Sequence, residues 1–258
     1  MIAFFRRIRF NLIQKNKSGA YRLPVGRYFK YALGEIILVV IGILIALYIN
    51  NLNTEKQESR TLNGYLHNIG ENIASDQLSL RQIANFRDSS IIGSNYFMNM
   101  MEQASKEQYS LYFSRYFKFN PWLDESFQSN QSGFEALKNA GYLTKIQQTN
   151  LESQLYTYYN LIAKIKAEEQ SLNNFMEEME YDLYKNNIVQ KIKPLIKKLQ
   201  TNTASQEDFN ELQRMMNFPS FIGSHSRNAG TRYMNKLYDR LVENAVKLQQ
   251  EIEKITTD

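Results

Sequence analysis

Apolar residues are arranged along this chain in two ways, as one continuous block near the start and as spaced positions after it. The block, residues 31–49 (YALGEIILVVIGILIALYI), contains a single charge, Glu35. At about 1.5 Å of rise per residue, a helix of that length is about enough to cross a hydrocarbon core. From Asn51 the helix is expected to run on without a break, and the pattern becomes periodic. Leu62, Leu66, Ile69, Ile73, Asp76, Leu80 and Ile83 follow one another at alternating steps of four and three, a heptad seam interrupted once, by Asp76. Residues 91–101 stay apolar but lose that register.

Residues 109–119 (YSLYFSRYFKF) put Tyr109, Tyr112, Phe113, Tyr116 and Phe117 on one face of a helix, which Asn120-Pro121-Trp122 ends. Ser132-x-x-Glu135 reads as a capping box opening a short helix, with Gly141 just past its end. Thr144-x-x-Gln147 then opens the longest periodic run, about 40 residues. Its seam is Leu151, Leu155, Tyr158, Ile162, Ile165, Glu169, Leu172, Met176, Met179 and Leu183, with Glu169 its one polar member. Asn186-Asn187 and Pro194 mark a bend or a new helix. Ser205-x-x-Asp208 caps a helix through about Met216, and residues 218–223 read as a loop carrying a hydrophobic plug. From about Thr231 a third seam runs through Met234, Tyr238, Leu241, Ala245, Leu248, Ile252 and Ile255. The fold class is all-α. Three seams favour a long-helix, coiled-coil-like bundle over 51–258 that buries them against one another, with a dimeric stalk as the alternative.

Charge changes the picture at the N-terminus. Residues 1–30 hold Arg6, Arg7, Arg9, Lys15, Lys17, Arg22, Arg27 and Lys30 and no acid, so the net +5 resolves into +8 there and −3 on the remainder. A nucleic-acid binder would carry its excess on the folded domain, so nucleic acid is not an expected partner. Thirty residues before the apolar core, and Ala46-Leu47-Tyr48 as a poor cleavage site, favour an uncleaved signal anchor over a signal peptide. The basic flank then places the N-terminus in the cytoplasm and residues from about 51 outside, in the periplasm of a cell with an inner membrane. Tyr31 and Tyr48 bracket the span. Residues 2–14 are either a short interfacial helix on anionic lipid or a topogenic tail.

Within the span, Glu35, Gly42, Ala46 and Asn50 share one face, and Gly42-x-x-x-Ala46 has the spacing that lets helices approach closely. This is a candidate packing seam. The alternative is an ordinary span in which Glu35 lies near the interface.

The segment 31–51, YALGEIILVVIGILIALYINN, following the basic FFRRIR start, resembles an uncharacterised family of small single-pass inner-membrane proteins of Gram-negative bacteria. The resemblance covers roughly residues 1–55 and extends more weakly to SGFEALKNAGYL (132–143) and LYTYY (155–159). The family usually has Trp where this chain has Leu52. The resemblance implies the topology and a helical envelope domain. It implies no activity and no site residues.

Candidate chemistry is sparse. The absence of cysteine excludes disulfides, thiolate metal sites and thiol catalysis. His67 and His225 belong to no HExxH motif, and there is no Walker motif and no G-x-S-x-G. Glu168-Glu169 and the run Glu177, Glu178, Glu180 and Asp182 read as a solvated face, followed by the lysines 185, 191, 193, 197 and 198 in an expected charge pairing. Residues 223–230 form the best candidate ligand-facing loop, with Ser224, His225, Arg227 and Asn228. No cofactor or metal is expected, and the chain reads as a non-enzyme. The expected role is a membrane-anchored periplasmic interaction or scaffold subunit, whose partners are the bilayer and a second copy or another envelope protein. The alternative is a helical bundle that senses a small ligand, of class unknown, and signals through a partner membrane protein.

Overall fold

The computed structural model describes residues 25–101, 104–119, 122 and 124–257. Among these residues there are helices and no strand. Eight α-helices follow in order: α1 (Val25–Met100), α2 (Lys106–Leu111), α3 (Ser132–Asn139), α4 (Asn150–Lys185), α5 (Ile188–Gln200), α6 (Gln206–Met216), α7 (Pro219–Ala229) and α8 (Arg232–Thr257). The chain divides into two compact units, Met1–Ser59 and Arg60–Asp258.

In the first unit the described residues all lie on α1, and the apolar block is bare from Leu33 on. The large apolar side chains from Leu33 to Ile49 are between 47% and 65% exposed. The proposed interfacial helix at residues 2–14, together with Arg6, Arg7, Arg9, Lys15, Lys17 and Arg22, lies outside the described residues.

The second unit buries its seams in two apolar cores. The first gathers Leu66, Ile69, Ile73 and Leu80 of α1, Leu137 of α3, Leu155, Tyr158 and Ile165 of α4, and Met234, Leu241 and Leu248 of α8. The second gathers Phe97 and Met100 of α1, Tyr109, Tyr112 and Phe113, Leu183 at the end of α4, and the inward faces of α5 and α6 with Phe221 of α7. The three predicted heptad seams are thus inward faces, because apolar positions spaced by four and three line one side of a helix.

Local chemistry sets the helix ends. Ser205 and Asp208 form a reciprocal capping box at α6, as the spacing predicts, and Ser105 and Gln108 form another at α2. Gly141 follows α3 at φ 77°, a left-handed conformation that glycine adopts without a Cβ clash. Asn187, at φ 58°, separates α4 from α5. Pro194 lies inside α5, which continues across it.

Several expected boundaries move. The aromatic face at 109–117 is real, but after α2 it is wound as a π-turn (Tyr112–Tyr116) and a 3-10 turn (Phe117–Phe119). Ser132 is the first residue of α3 rather than its cap, and its hydroxyl reaches the side-chain oxygens of Asn72 and Asn130. The long helix opens at Thr149, whose hydroxyl accepts from Glu152 N, and not at Thr144, because Tyr142–Ile146 form a 3-10 turn. Residues 219–229 are a helix and not a loop. Pro219 suits the first turn because its missing N–H would have no intrahelical partner there.

Candidate functional site

Where the apolar seams are interrupted, the interruptions share one partner. Residues 124–131 carry no helix and run as an irregular segment over α1 and α4. Asn130 N donates to Asp76 Oδ1 at 2.8 Å, and Phe127 N donates to Glu169 Oε2 at 2.9 Å. Arg87 Nη2 donates to the Glu125 carbonyl at 2.6 Å and to Asn173 Oδ1 at 3.2 Å. Asn173 Nδ2 reaches Ser126 Oγ at 3.0 Å. The Phe127 side chain is buried in the first core. Helical side chains therefore satisfy backbone groups that have no secondary structure of their own, which is the condition for burying such a segment.

The same carboxylates also take hydroxyls from the helices. Tyr158 OH donates to Asp76 Oδ2 at 3.1 Å, and Tyr238 OH donates to Glu169 Oε1 at 2.6 Å. Both acids are almost wholly buried, as is Arg87. Burial raises each carboxyl above its ordinary value, opposed by those hydrogen bonds and, at Glu169, by the Arg87 charge. Burial, with the neighbouring acid, likewise pushes the Tyr158 and Tyr238 phenols far up, so both stay protonated donors. The expected solvated face around Glu168-Glu169 is corrected at Glu169: its helical position turns it inward, where Tyr238 and the segment bind it. Glu168 accepts from Tyr233 OH at 3.1 Å.

The other candidate, 223–230, is a helical face turned into the protein. Ser224, His225 and Asn228 are fully or almost fully buried and Arg227 is half-buried, which removes the expected ligand-facing loop. The physical reason is neighbourhood. Phe221 stacks on His225 at 4.8 Å, Phe97 lies 4.2 Å away and Trp122 5.4 Å. His225 Nδ1 faces the Phe221 carbonyl at 2.8 Å, so it carries the proton and Nε2 accepts from Tyr112 OH at 2.5 Å. Both ring nitrogens are engaged and burial lowers this histidine to about 3. It follows that the His225 imidazole stays neutral from pH 7 to pH 4. Histidine carbon–proton NMR checks this: an imidazolium-type shift at pH 5 would contradict the packing. Asn228 Nδ2 donates to Ser94 Oγ at 3.0 Å, which ties α7 to α1.

His67 is exposed and pairs with Glu71, one turn on, at 3.5 Å. Among the basic residues after Asn186-Asn187, Lys198 pairs with Asp208 of α6 at 2.5 Å rather than with the acidic stretch of α4. No group of three metal-ligating side chains occurs among the described residues. A cavity of about 180 Å³ lies against Phe117, Trp122, Leu183, Ile192 and Phe221.

On α1 the four residues of the proposed packing seam are all exposed, and nothing comes within 4 Å of the Cβ position at Gly42. Arg27 and Lys30 fall on the same helix. Among the described residues one helix is long and apolar enough to cross a membrane, and none of its most apolar window is buried.

The profile of a family of unknown function, DUF6090, matches residues 35–177. The chain belongs to this family. The matched region includes the apolar block from Glu35 on, Asp76, Arg87, Glu169 and Asn173, and the segment 124–131, whereas His225 and Tyr238 fall outside it. No curated protein and no solved structure matches the chain. The DUF6090 core therefore holds the polar clamp on the irregular segment, and the remainder of the chain adds Tyr238 to it.

Sequence reasoning placed Asp76 and Glu169 correctly in their seams and missed what they bind. The available clue was their being the sole polar members of otherwise apolar seams, since a buried acid needs donors.

Proposed function

We propose that this DUF6090 protein is a single-pass, membrane-anchored subunit that acts by association, with residues 31–50 in the lipid and a helical bundle presented to other envelope proteins. The observation that supports this reading is the contrast between the two units. Most large apolar side chains after residue 60 are packed inward, Leu78 and Ile92 being exceptions, while all of those from Leu33 to Ile49 are bare. A contiguous apolar surface of that size has no place in water. Lipid covers most of it, and the face of Glu35, Gly42, Ala46 and Asn50 is the side that a second helix would take. The basic residues of the first thirty set the N-terminus on the cytoplasmic side of the inner membrane and the bundle in the periplasm.

The test of anchoring is extraction. The full chain stays in the membrane pellet through alkaline carbonate washing, and Ile41→Arg lowers the pelleted fraction. A charge at mid-span costs about 2.5–3.5 kcal/mol on insertion scales. Release of the unaltered chain into the wash would contradict the anchor.

A second reading, in which the periplasmic unit responds to its surroundings and signals through a partner, is favoured by one feature. Asp76, Arg87 and Glu169 lie buried beneath an irregular segment, and ionisable groups so placed respond to conditions that an apolar layer would ignore.

A further inference from the structure

The two buried acids under the segment are not equivalent. Glu169 receives the Tyr238 hydroxyl from α8 and the Phe127 amide from the segment, and the charge of Arg87 on α1 acts on it. It therefore has a counter-charge in the same layer. Asp76 faces Tyr158 and Tyr159 from α4 and the Ser129 side chain and Asn130 amide from the segment, and no cation among the described residues acts on it. An ionised Asp76 is therefore buried among neutral donors without a counter-charge, which costs free energy that hydration would return. One of those donors, the Asn130 amide, belongs to the segment itself, and Ser129 Oγ beside it is buried with no hydrogen-bond partner. Immediately after them, Gly133 N binds Asn72 Oδ1 at 2.9 Å, which fixes where the segment joins α3.

We propose that residues 128–131 form a proton-operated latch over Asp76, closed while its carboxyl is protonated and loosened when the proton leaves. In the closed protonated state the carboxyl oxygens still accept from Asn130 N and Tyr158 OH, and the proton is given to Ser129 Oγ, a buried oxygen that has no other partner. Loss of the proton leaves a bare charge that is better solvated with the segment lifted. The direction follows from burial, which raises the docked carboxyl above its ordinary value of 3.8. A raised acid binds its proton more tightly in the docked state. Docking is therefore strongest below 3.8 and is lost progressively as pH rises through the raised value. One proton limits the change to about tenfold in docking equilibrium per pH unit. The latch is independent of the association role proposed above.

Hydrogen–deuterium exchange of the full chain in detergent, corrected for intrinsic rates, tests it between pH 4.5 and 7.5. Protection of peptides covering 126–133 falls with pH by up to about tenfold per unit, while peptides from residues 237–248 of α8 hold theirs. Asp76→Asn keeps an acceptor for Asn130 N and removes the charge, so its protection stays high and flat. Glu169→Gln retains the pH dependence at 126–133. Flat protection in the unaltered chain, an identical fall in Asp76→Asn, or a fall in step with α8 would each overturn the latch. Should Asp76→Asn fail to fold, the infrared band of a protonated buried carboxyl in the unaltered chain must vanish with the same midpoint as the protection. A different midpoint overturns the proposal as well.

Discussion

Arg87→Met lowers the stability of the helical unit by about 1–3 kcal/mol, the usual cost of leaving buried hydrogen-bonding groups without their partner. Arg87 is 2% exposed and Glu169 1%. Methionine fills much of the same space, so the loss is polar, and the Arg87 charge that acts on Glu169 goes with it. The Glu125 carbonyl and Asn173 also lose their shared donor. The double variant Arg87→Met with Glu169→Gln recovers part of the loss, because no net charge is then stranded. Urea unfolding of the detergent-solubilised chain, followed through the fluorescence of its single tryptophan, Trp122, reads both values. Single and double variants that fall within 0.5 kcal/mol of the unaltered chain, a criterion set by the usual effect of surface changes, would show that the charges are solvated and the clamp is not as described.

Gly133→Ala is the second large effect, about 1–3 kcal/mol of destabilisation from overpacking. A Cβ at this position would lie 2.9 Å from Ile69 N and 2.9 Å from Asn72 Oδ1, and 3.1 Å from the Asn68 carbonyl carbon. Two of these are backbone atoms of α1, which cannot swing aside as a long side chain could. The substitution therefore pushes the start of α3 off α1 and breaks the 2.9 Å bond from Gly133 N to Asn72. Gly70→Ala is the matched contrast. Nothing lies within 4 Å of its Cβ position, and alanine within a helix is worth roughly 0.5–1 kcal/mol over glycine. Thermal unfolding of the two variants should move in opposite directions. Equal shifts would contradict the close approach of α3 to α1.

The pattern of apolar positions was sufficient for most of the fold. Leu66, Ile73, Leu155, Ile165, Leu241 and Leu248 are buried as their seams require, because helix periodicity carries burial directly. Helix starts were less legible. Ser132 and Thr144 have the capping spacing, yet chain packing before α4 winds Tyr142–Ile146 into a 3-10 turn and hands the cap to Thr149. Residues 218–230 misled for a different reason. Gly223, Ser224 and Ser226 have loop-like composition, but small residues also suit a helix that must lie close to others, and Phe221 and His225 pull this one inward. The clamp on residues 124–131 was the least legible part. It joins side chains 38 to 54 positions from the backbone groups they bind, and no local pattern reports such pairs.

The buried polar layer also sets what the helical unit can do. Along α1 and α4, Arg87, Ser90, Ser94, Glu169 and Asn173 fall between the stretches that feed the two apolar cores. Replacing such a layer with apolar residues often leaves stability equal or higher, so its presence points to a role beyond holding the fold. Within this layer Glu169 has the Arg87 charge acting on it and Asp76 has no such counter-charge among the described residues.

Association through the face of Glu35, Gly42, Ala46 and Asn50 is the central proposal. Native mass spectrometry of the full chain, extracted gently from its own membranes, tests it directly, alongside the double variant Glu35→Leu, Gly42→Leu. The prediction is a homo-oligomer or a complex with co-purifying subunits, reduced in the double variant to the 30.3 kDa chain. A single chain with bound lipid alone in the unaltered protein, or an assembly unchanged by the double variant, would contradict it.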